Sequence, residues 1–322
     1  MDSDGTSVRS GADADLTSDY ELSTASSGFT SIATSTMYHI YENGRRYQSF
    51  IEGRYPLPND EAEQNREEMQ HNMVKELLDG NFCMAPIGDS PQKILDLGTG
   101  CGIWAIEVGD KFPSAHVFGI DLSPIQPYCA PPNVEWKIDD LEAEWPAAYQ
   151  NADFIHAWSF LPTMSDPEKL LKSAREHLLP GGWIEFGDIQ PTIYPTNTSP
   201  PFLTSFFTLL TDTFSKRYSW NPHITSSLPS LLSSQGFTSI STRREKLPLG
   251  TCAGATQRER EVGLYMQYIL EGLVAGVLAR GRELGIEEED ARALADGVGK
   301  ELRDPSVTGY LWWSSVWAQK PA

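Results

Sequence analysis

Short apolar runs alternate with amphipathic segments of helical length through the middle of the chain. The runs that indicate strands lie at 93–97, 116–120, 134–138, 152–157 and 182–187. Segments with the spacing of an amphipathic helix lie among them at 103–111 and 166–178. Strands that alternate with helices in this way predict an α/β protein with a parallel sheet covered by helices on both faces.

The alternation stops after residue 188. Just before it, Pro180-Gly-Gly182 is predicted to end the helix that precedes the fifth strand. Residues 189–200 are rich in Pro, Thr and Asn and are predicted to form a loop. Further helices are predicted at 201–216, 228–235, 256–280 and 287–302, with strands at 237–246 and 309–319. The segments 189–235 and 248–305 are expected to form a helical lid over a substrate pocket.

The first 36 residues are rich in Ser, Thr, Asp, Gly and Ala and contain few large apolar side chains. Such a composition cannot bury enough apolar surface to offset the entropy lost on ordering, so residues 1–36 are predicted to be a disordered tail. Residues 37–322 are expected to form one domain, since a chain of this length can build one large core with insertions. Its first part, 37–80, combines tyrosines and arginines with a predicted helix and is expected to cap the sheet.

The strand at 93–97 runs directly into a glycine-rich turn and then into a helix. Gly98, Gly100 and Gly102 allow a tight turn and the close approach of a ligand to the backbone, and Gly98, Thr99 and Gly100 are the residues of this turn expected to bind it. A helix that begins near residue 103 directs its free N–H groups toward the same crevice, at the carboxyl end of the first core strand. The pattern indicates a site for a nucleoside cofactor.

Acidic residues stand at the carboxyl ends of the first three core strands. Asp96 precedes the turn, where a carboxylate repels a pyrophosphate but suits a ligand with an ammonium group and a sulfonium. Asp121, followed by Leu122, stands 23 residues after the first glycine of the turn, close to the spacing of an acid that binds ribose hydroxyls. After the third strand, one of Asp139 and Asp140 is expected to face the adenine and the other to cap the following helix. The spacing does not decide which acid has which role.

Together with several shorter motifs, these residues resemble the LaeA-like fungal methyltransferases, whose cofactor is S-adenosyl-L-methionine (SAM). The motifs are Arg45-Arg-Tyr47, Tyr55-Pro-Leu-Pro-Asn-Asp-Glu61, Asp121-Leu-Ser-Pro-Ile-Gln-Pro127, Pro131-Pro-Asn133 and Pro180-Gly-Gly182. The resemblance runs from about residue 38 to the end and is densest between 41 and 188. It implies a Rossmann-like class I methyltransferase fold with a mostly parallel seven-stranded sheet. In such a sheet the final strand, 309–319, inserts antiparallel between the fifth and sixth strands.

The resemblance also implies that the N-terminal segment closes over the methionine end of the cofactor. Arg45 and Tyr47 are the residues expected to reach the cofactor's carboxylate. The other interpretation of the aromatic cluster is a hydrophobic cover for the edge of the sheet, and the two interpretations are compatible.

His156 closes the fourth core strand, at the edge where cofactor and acceptor would meet. Its usual pKa suits proton transfer near neutral pH, so it is the candidate catalytic base. The competing interpretation is that the ring packs beside the adenine or supports the loop after the strand. LaeA-like sequences commonly carry an arginine two residues after this histidine, whereas this chain has Trp158, so its acceptor pocket is expected to differ.

Acidic residues outnumber basic ones by 44 to 25, which gives a net charge of -19. This argues against nucleic acid as a substrate, because phosphate binding needs a basic surface. The four cysteines show neither a disulfide framework nor a zinc spacing, so no metal is expected. No apolar stretch of membrane-spanning length and no signal peptide is found, and the protein is expected to be soluble and cytoplasmic, with the nucleus as the alternative location.

Three functions are compatible with these residues. The first is a SAM-dependent methyltransferase that modifies an oxygen or nitrogen of a small-molecule acceptor, a fungal secondary metabolite. The second is a regulator of the LaeA type that acts through protein partners. The third is an enzyme that binds SAM without transferring its methyl group, since a fold does not determine a function.

Overall fold

The structure is a computed structural model that describes residues 39–250 and 255–322, so the predicted tail at 1–36 lies outside the described residues. Nine strands and seven α-helices form within those two ranges. The strands are β1 (Ile40–Glu42), β2 (Arg45–Tyr47), β3 (Lys93–Leu97), β4 (His116–Asp121), β5 (Val134–Ile138), β6 (Ala152–Trp158), β7 (Leu178–Pro195), β8 (Thr238–Pro248) and β9 (Gly309–Gln319). The helices are α1 (Glu61–Leu77), α2 (Ile103–Lys111), α3 (Pro167–His177), α4 (Pro201–Tyr218), α5 (Leu228–Ser234), α6 (Gln257–Leu278) and α7 (Glu288–Arg303).

Seven of the strands form one sheet in the order β5-β4-β3-β6-β7-β9-β8. Strands β3 to β7 pair in parallel, and β9 lies antiparallel between β7 and β8. The predicted mostly parallel seven-stranded sheet is confirmed, as is the antiparallel insertion of the last strand. The direction of strand addition reverses between β3 and β6, and in open α/β sheets ligands bind at the carboxyl ends of the strands at such a point.

The central strands are buried on both faces, which explains why the sequence of β3 is a nearly continuous apolar run. Ile94, Leu95 and Leu97 on β3 have no exposed surface. One face of the sheet packs against α3 and α5, and the other face packs against α2. The carboxyl edge of the strands is left free for a ligand.

Helices α4, α6 and α7 form a second apolar core together with α1. Helices α1 and α6 approach closely: a Cβ added at Gly272 would lie 3.1 Å from the Arg66 side chain, and one added at Gly276 would lie 3.3 Å from the Glu63 carboxylate. The predicted lid segments 189–235 and 248–305 contain α4, α5, α6 and α7, except that residues 251–254 lie outside the described residues. The lid helices are therefore joined to the N-terminal segment by packing.

Helix α6 departs from the expectation that no segment reaches membrane-spanning length. Its 22 residues are long and apolar enough to cross a bilayer by length and composition. Here α6 packs against α1, α7 and β8, and residues such as Met266 and Ile269 are buried in the apolar core. A buried core helix satisfies the same compositional test.

Strand β7 is longer than predicted, and the loop prediction for 189–200 is wrong over most of its length. The strand continues to Pro195 because β9 runs beside it, with Gln190 opposite Trp312 and Tyr194 opposite Tyr310. The glycines of Pro180-Gly-Gly182 also lie inside this strand, since α3 has already ended at His177.

Candidate active site

The glycine turn after β3 has a backbone conformation that only glycine adopts easily. Gly98, Gly100 and Gly102 have φ angles of 70°, 53° and 82°. A Cβ at Gly98 would lie 2.5 Å from the Phe160 ring, and one at Gly102 would lie 2.5 Å from the Trp136 ring. The turn therefore needs glycine both for its conformation and for close packing.

Asp121 holds the glycine turn from the end of β4. Its Oδ2 accepts a hydrogen bond from the Gly100 N–H at 2.9 Å, and its Oδ1 accepts one from the Ser123 N–H at 2.8 Å. Burial raises the pKa of Asp121, and these two bonds oppose that shift. Asp121 and Leu122 both line the cleft at the carboxyl edge of the sheet.

Asp96 and His156 form a buried pair at the ends of β3 and β6. Asp96 Oδ1 lies 2.7 Å from His156 Nδ1, while Asp96 Oδ2 accepts a hydrogen bond from the Thr99 hydroxyl at 2.6 Å. The His156 ring is 2% exposed and stacks on Trp104, with ring centroids 3.6 Å apart. Burial lowers the pKa of His156, so the imidazole is neutral near pH 7, and its Nε2 has no partner among the described residues. Both Asp96 oxygens are thus already bonded, whereas one ring nitrogen of His156 is free.

Asp139 and Asp140 both line the cleft beyond β5. Asp139 accepts hydrogen bonds from the Asp140 N–H at 2.9 Å and from the Tyr149 hydroxyl at 3.0 Å. Asp140 accepts from the Glu142 N–H at 3.0 Å. The prediction that one of the two acids caps a following helix is wrong, because no α-helix begins until residue 167 and Asp140 closes a turn instead.

Arg45 and Tyr47 do not line the cleft, so the structure does not place them where the sequence predicted. Arg45 pairs with Asp60, at 2.5 Å and 2.9 Å from its two carboxylate oxygens, and Asp60 also caps α1. Tyr47 is 1% exposed and lies under the Arg280 guanidinium, 3.9 Å from the ring centroid. Their ion-pair and cation–π partners hold both residues in the packing of the N-terminal segment.

Helix α1 brings Glu67 to the glycine turn, a placement that the sequence analysis missed. The carboxylate lies so close that a Cβ at Gly100 would be 2.8 Å from its Oε2. Burial and the neighbouring Glu63 raise the pKa of Glu67 to about 8, against the effect of Arg66. The available signal was that polar positions 63, 67 and 70 share a helical face with the apolar Val74 and Leu77, which marks that face as buried.

Asp188 is the second residue that the sequence analysis did not identify as part of the cleft. It follows Gly187 on β7, which pairs with Trp158 at the end of β6, and burial raises the pKa of its carboxylate to about 7. In the sequence it is only the last acid of a strand, without a motif around it.

Apart from Arg45 and Tyr47, the candidate site residues line one continuous cleft with two chemically different halves. The glycine turn and the acids of β3, β4 and β5 form the polar half. The other half is lined by apolar side chains from β6, β9 and the lid, namely Trp158, Phe207, Leu210, Phe214, Trp220, Ile269, Leu273 and Trp313. The cleft therefore combines a polar half suited to a nucleoside with an apolar half suited to a second molecule.

The strand order, the glycine turn and the acids at successive strand ends define a Rossmann-like class I methyltransferase fold. The chain belongs to the methyltransferase-domain family, whose match covers residues 64–238. Its enzyme class is therefore methyltransferase.

Two fungal relatives are similar over most of the chain. Methyltransferase pytC of Aspergillus terreus is 33% identical and aligns over 92% of each chain. Secondary metabolism regulator LAE1 of Cochliobolus heterostrophus is 31% identical over 84% of this chain and 91% of its own. The resemblance to LaeA-like proteins is thereby confirmed.

Among solved structures, the fold is similar to that of Haemonchus contortus phosphoethanolamine N-methyltransferase 2 in complex with S-adenosyl-L-methionine. The TM-score is 0.45 with 16% identity, over 78% of this chain and 52% of that one.

Proposed function

We propose that this protein is a SAM-dependent methyltransferase that acts on the oxygen or nitrogen of a small-molecule acceptor. The observation that carries the proposal is the single cleft whose acidic, glycine-lined half adjoins an apolar half. Such a cleft suits a cofactor and an acceptor side by side. Methyl transfer from a sulfonium is an in-line displacement, so a protein accelerates it mainly by orienting the two reactants.

The residues of the polar half fit the parts of SAM. Asp121 would accept hydrogen bonds from the ribose hydroxyls, because carboxylate oxygens can accept more than one bond. One of Asp139 and Asp140, which both line the cleft, would accept from the adenine amine, and the turn of Gly98, Thr99 and Gly100 lines the same cleft. When bound, SAM supplies an activated methyl group on a cationic sulfur, and the surplus of carboxylates in this half favours a cation.

His156 is our candidate for the base where the acceptor must lose a proton. A neutral imidazole whose Nδ1–H faces the Asp96 carboxylate presents a basic Nε2, and in His156 that atom is free of other partners among the described residues. The stack on Trp104 fixes the plane of the ring. Asp96 would then orient His156 instead of binding the cofactor's ammonium group.

A second candidate function is regulation of secondary metabolism through protein partners. It is favoured by the similarity to LAE1 and by a further relative, protein-methionine methyltransferase laeA of Emericella nidulans, which is 39% identical over 45% of this chain and 39% of its own. The strongly acidic composition is compatible with a basic partner protein. The two candidates differ in whether the activity needs the cofactor half of the cleft.

Calorimetric titration with SAM and S-adenosylhomocysteine tests the proposal. We expect the wild-type chain to bind both ligands and Asp121→Ala to bind each on the order of 10- to 100-fold more weakly, since hydrogen bonds to a charged group are lost. Asp212→Ala is the control, because this acid is exposed on α4 and away from the cleft.

The outcome separates the candidates. If S-adenosylhomocysteine is released when candidate small-molecule acceptors are added, and Asp121→Ala abolishes this release, the result supports the methyltransferase. Partner binding that survives Asp121→Ala favours the regulator. No binding of either ligand by the wild-type chain contradicts the proposal.

A further inference from the structure

Asp188 carries a buried carboxylate oxygen that is not used within the protein. Its Oδ1 accepts a hydrogen bond from the Ile189 N–H at 2.8 Å. Its Oδ2 is buried and has no hydrogen-bond partner among residues 39–250 and 255–322. A buried acceptor without a donor costs free energy, so an arrangement of this kind points to a ligand that supplies the donor.

The position of Asp188 in the sheet assigns that ligand to the acceptor half of the cleft. The acids of the polar half end β3, β4 and β5, on one side of the point where strand addition reverses. Asp188 lies on β7, on the other side, opposite Ser314 of β9. A cofactor held by Asp121 with its adenine beyond β5 would fill the β5 to β3 side of this edge and direct its methionine end toward β6, which leaves Asp188 on the acceptor side.

The half of the cleft to which Asp188 belongs is lined mainly by apolar side chains. The lid and the last strand contribute Ile189, Phe207, Leu210, Phe214, Trp220 and Trp313 to it, and Trp313 lies opposite Ile189, the residue after Asp188. The pKa of Asp188 responds to burial and to the Ile189 N–H, with no contribution from a nearby cation. One hydrogen-bond acceptor in an apolar wall fixes the orientation of a ligand and rejects analogues that lack the donor.

We propose that Asp188 is the residue that recognises the acceptor, and that the acceptor is a largely apolar, ring-bearing molecule that donates a hydrogen bond from a hydroxyl or amine to Asp188 Oδ2. The proposal rests on the proposed function, because it takes the polar half of the cleft to be filled by the cofactor. Asp188 then selects among apolar molecules that the aromatic walls alone would bind alike.

Two probes that differ only in the donor test this inference. The full chain is saturated with S-adenosylhomocysteine at pH 8, and the dissociation constants of 2-naphthol and 2-methoxynaphthalene are measured by equilibrium dialysis. We expect 2-naphthol to bind on the order of 10-fold or more tightly than its methyl ether, as for a hydrogen bond to a charged group.

In Asp188→Asn the two probes are expected to bind about equally, so that the ratio of their dissociation constants falls to near one. Because Oδ1 accepts from the Ile189 N–H, the amide would keep its oxygen there and place its NH₂ where Oδ2 lies, so the acceptor becomes a donor. Asp212→Asn, the same change on an exposed acid of α4, should keep the wild-type ratio.

Equal binding of the two probes to the wild-type chain overturns the inference, as does binding of neither probe. A ratio that persists in Asp188→Asn also overturns it, provided that the variant still binds S-adenosylhomocysteine. If the variant does not fold, the ratio of the two probe dissociation constants for the wild-type chain tests the inference by itself. Failure of the wild-type chain to bind S-adenosylhomocysteine would instead contradict the proposed function.

Discussion

Gly98 meets two separate structural demands at the entrance to the cofactor half of the cleft. Its φ of 70° is in the left-handed region, and the space where a Cβ would point is filled by Phe160. Rotation of the ring alone does not remove the crowding, because the Phe160 Cβ would still lie only 3.1 Å away. Conformation and packing therefore both exclude a side chain.

We expect Gly98→Ala to lower the free energy of unfolding by about 1–2 kcal/mol from the backbone and by a further ~1–3 kcal/mol from overpacking. The control is Gly88→Ala, since Gly88 has a similar φ of 74° but open space around its Cβ position. Urea unfolding of both variants separates the two effects. Equal losses would show that the contact with Phe160 costs nothing.

At the scale of single residues, the sequence analysis identified those cleft residues that form a contiguous pattern in the sequence. The glycine turn and Asp121 could be identified because turn, strand end and spacing are all local. Arg45 and Tyr47 were misplaced because their positions depend on Asp60 and on Arg280, a residue far away in the chain. Asp188 was missed for a similar reason, since its burial comes from β9 and the lid.

Strand β7 anchors the connection between α1 and β3 through a single buried side chain. Glu185 has no exposed surface, and its Oε2 accepts hydrogen bonds from the Met84 and Ala85 N–H groups at 2.7 Å and 2.8 Å. Its Oε1 accepts from the Ser315 hydroxyl at 2.8 Å. One carboxylate thus joins the connection between α1 and β3 to the two strands β7 and β9.

We expect Glu185→Ala to lower the free energy of unfolding by about 3 kcal/mol or more, because three donors lose their acceptor in a buried place. Glu185→Gln should cost much less, since its amide oxygen can still accept from both backbone N–H groups and its NH₂ can donate to Ser315. Urea denaturation measures both. Similar losses in the two variants would show that the negative charge, and not the hydrogen bonds, matters.

At the scale of elements, the alternation of strands and helices was predictable from periodicity alone. Every predicted strand and helix of the core is present, and apart from β7 their ends differ by a few residues at most. The extension of β7 to Pro195 was not predictable, because a polar, proline-containing segment becomes a strand only when β9 supplies its hydrogen bonds.

Across the described residues, the pKa values of some carboxyl groups are raised and those of others are lowered. Burial raises the pKa of Glu67 to about 8 and those of Glu185 and Asp188 to about 7. Ion pairs and hydrogen bonds lower the pKa values of Asp60 and Glu142. The first group holds protons more tightly in the folded chain than in the unfolded chain, and the second group holds them less tightly.

Stability should therefore pass through a maximum at mildly acidic pH. Above about pH 7 the folded chain binds more protons than the unfolded chain through the first group, so stability falls as pH rises. At lower pH the buried His71 and His156, whose pKa values are lowered by burial, oppose this trend. Below about pH 4 the second group loses its stabilising ionisation, so stability falls as pH drops. Melting temperatures measured across this range test the sign.

The matched variant for this profile is Glu67→Gln, which removes the titrating group with the highest of these pKa values. Its melting temperature should exceed that of the wild type at pH 8, and the difference should shrink toward pH 5. A wild-type melting temperature that rises from pH 7 to pH 8 would contradict the assignment of these buried acids.

Helix α1 is a wall of both halves of the cleft, since Glu67 reaches the glycine turn while the same helix packs closely on α6 of the lid. Any ligand that moves this helix changes the affinity of the protein for the other ligand, and thermodynamic linkage makes that effect equal in both directions. Binding in one half of the cleft is therefore coupled to binding in the other to the extent that either ligand displaces this one helix.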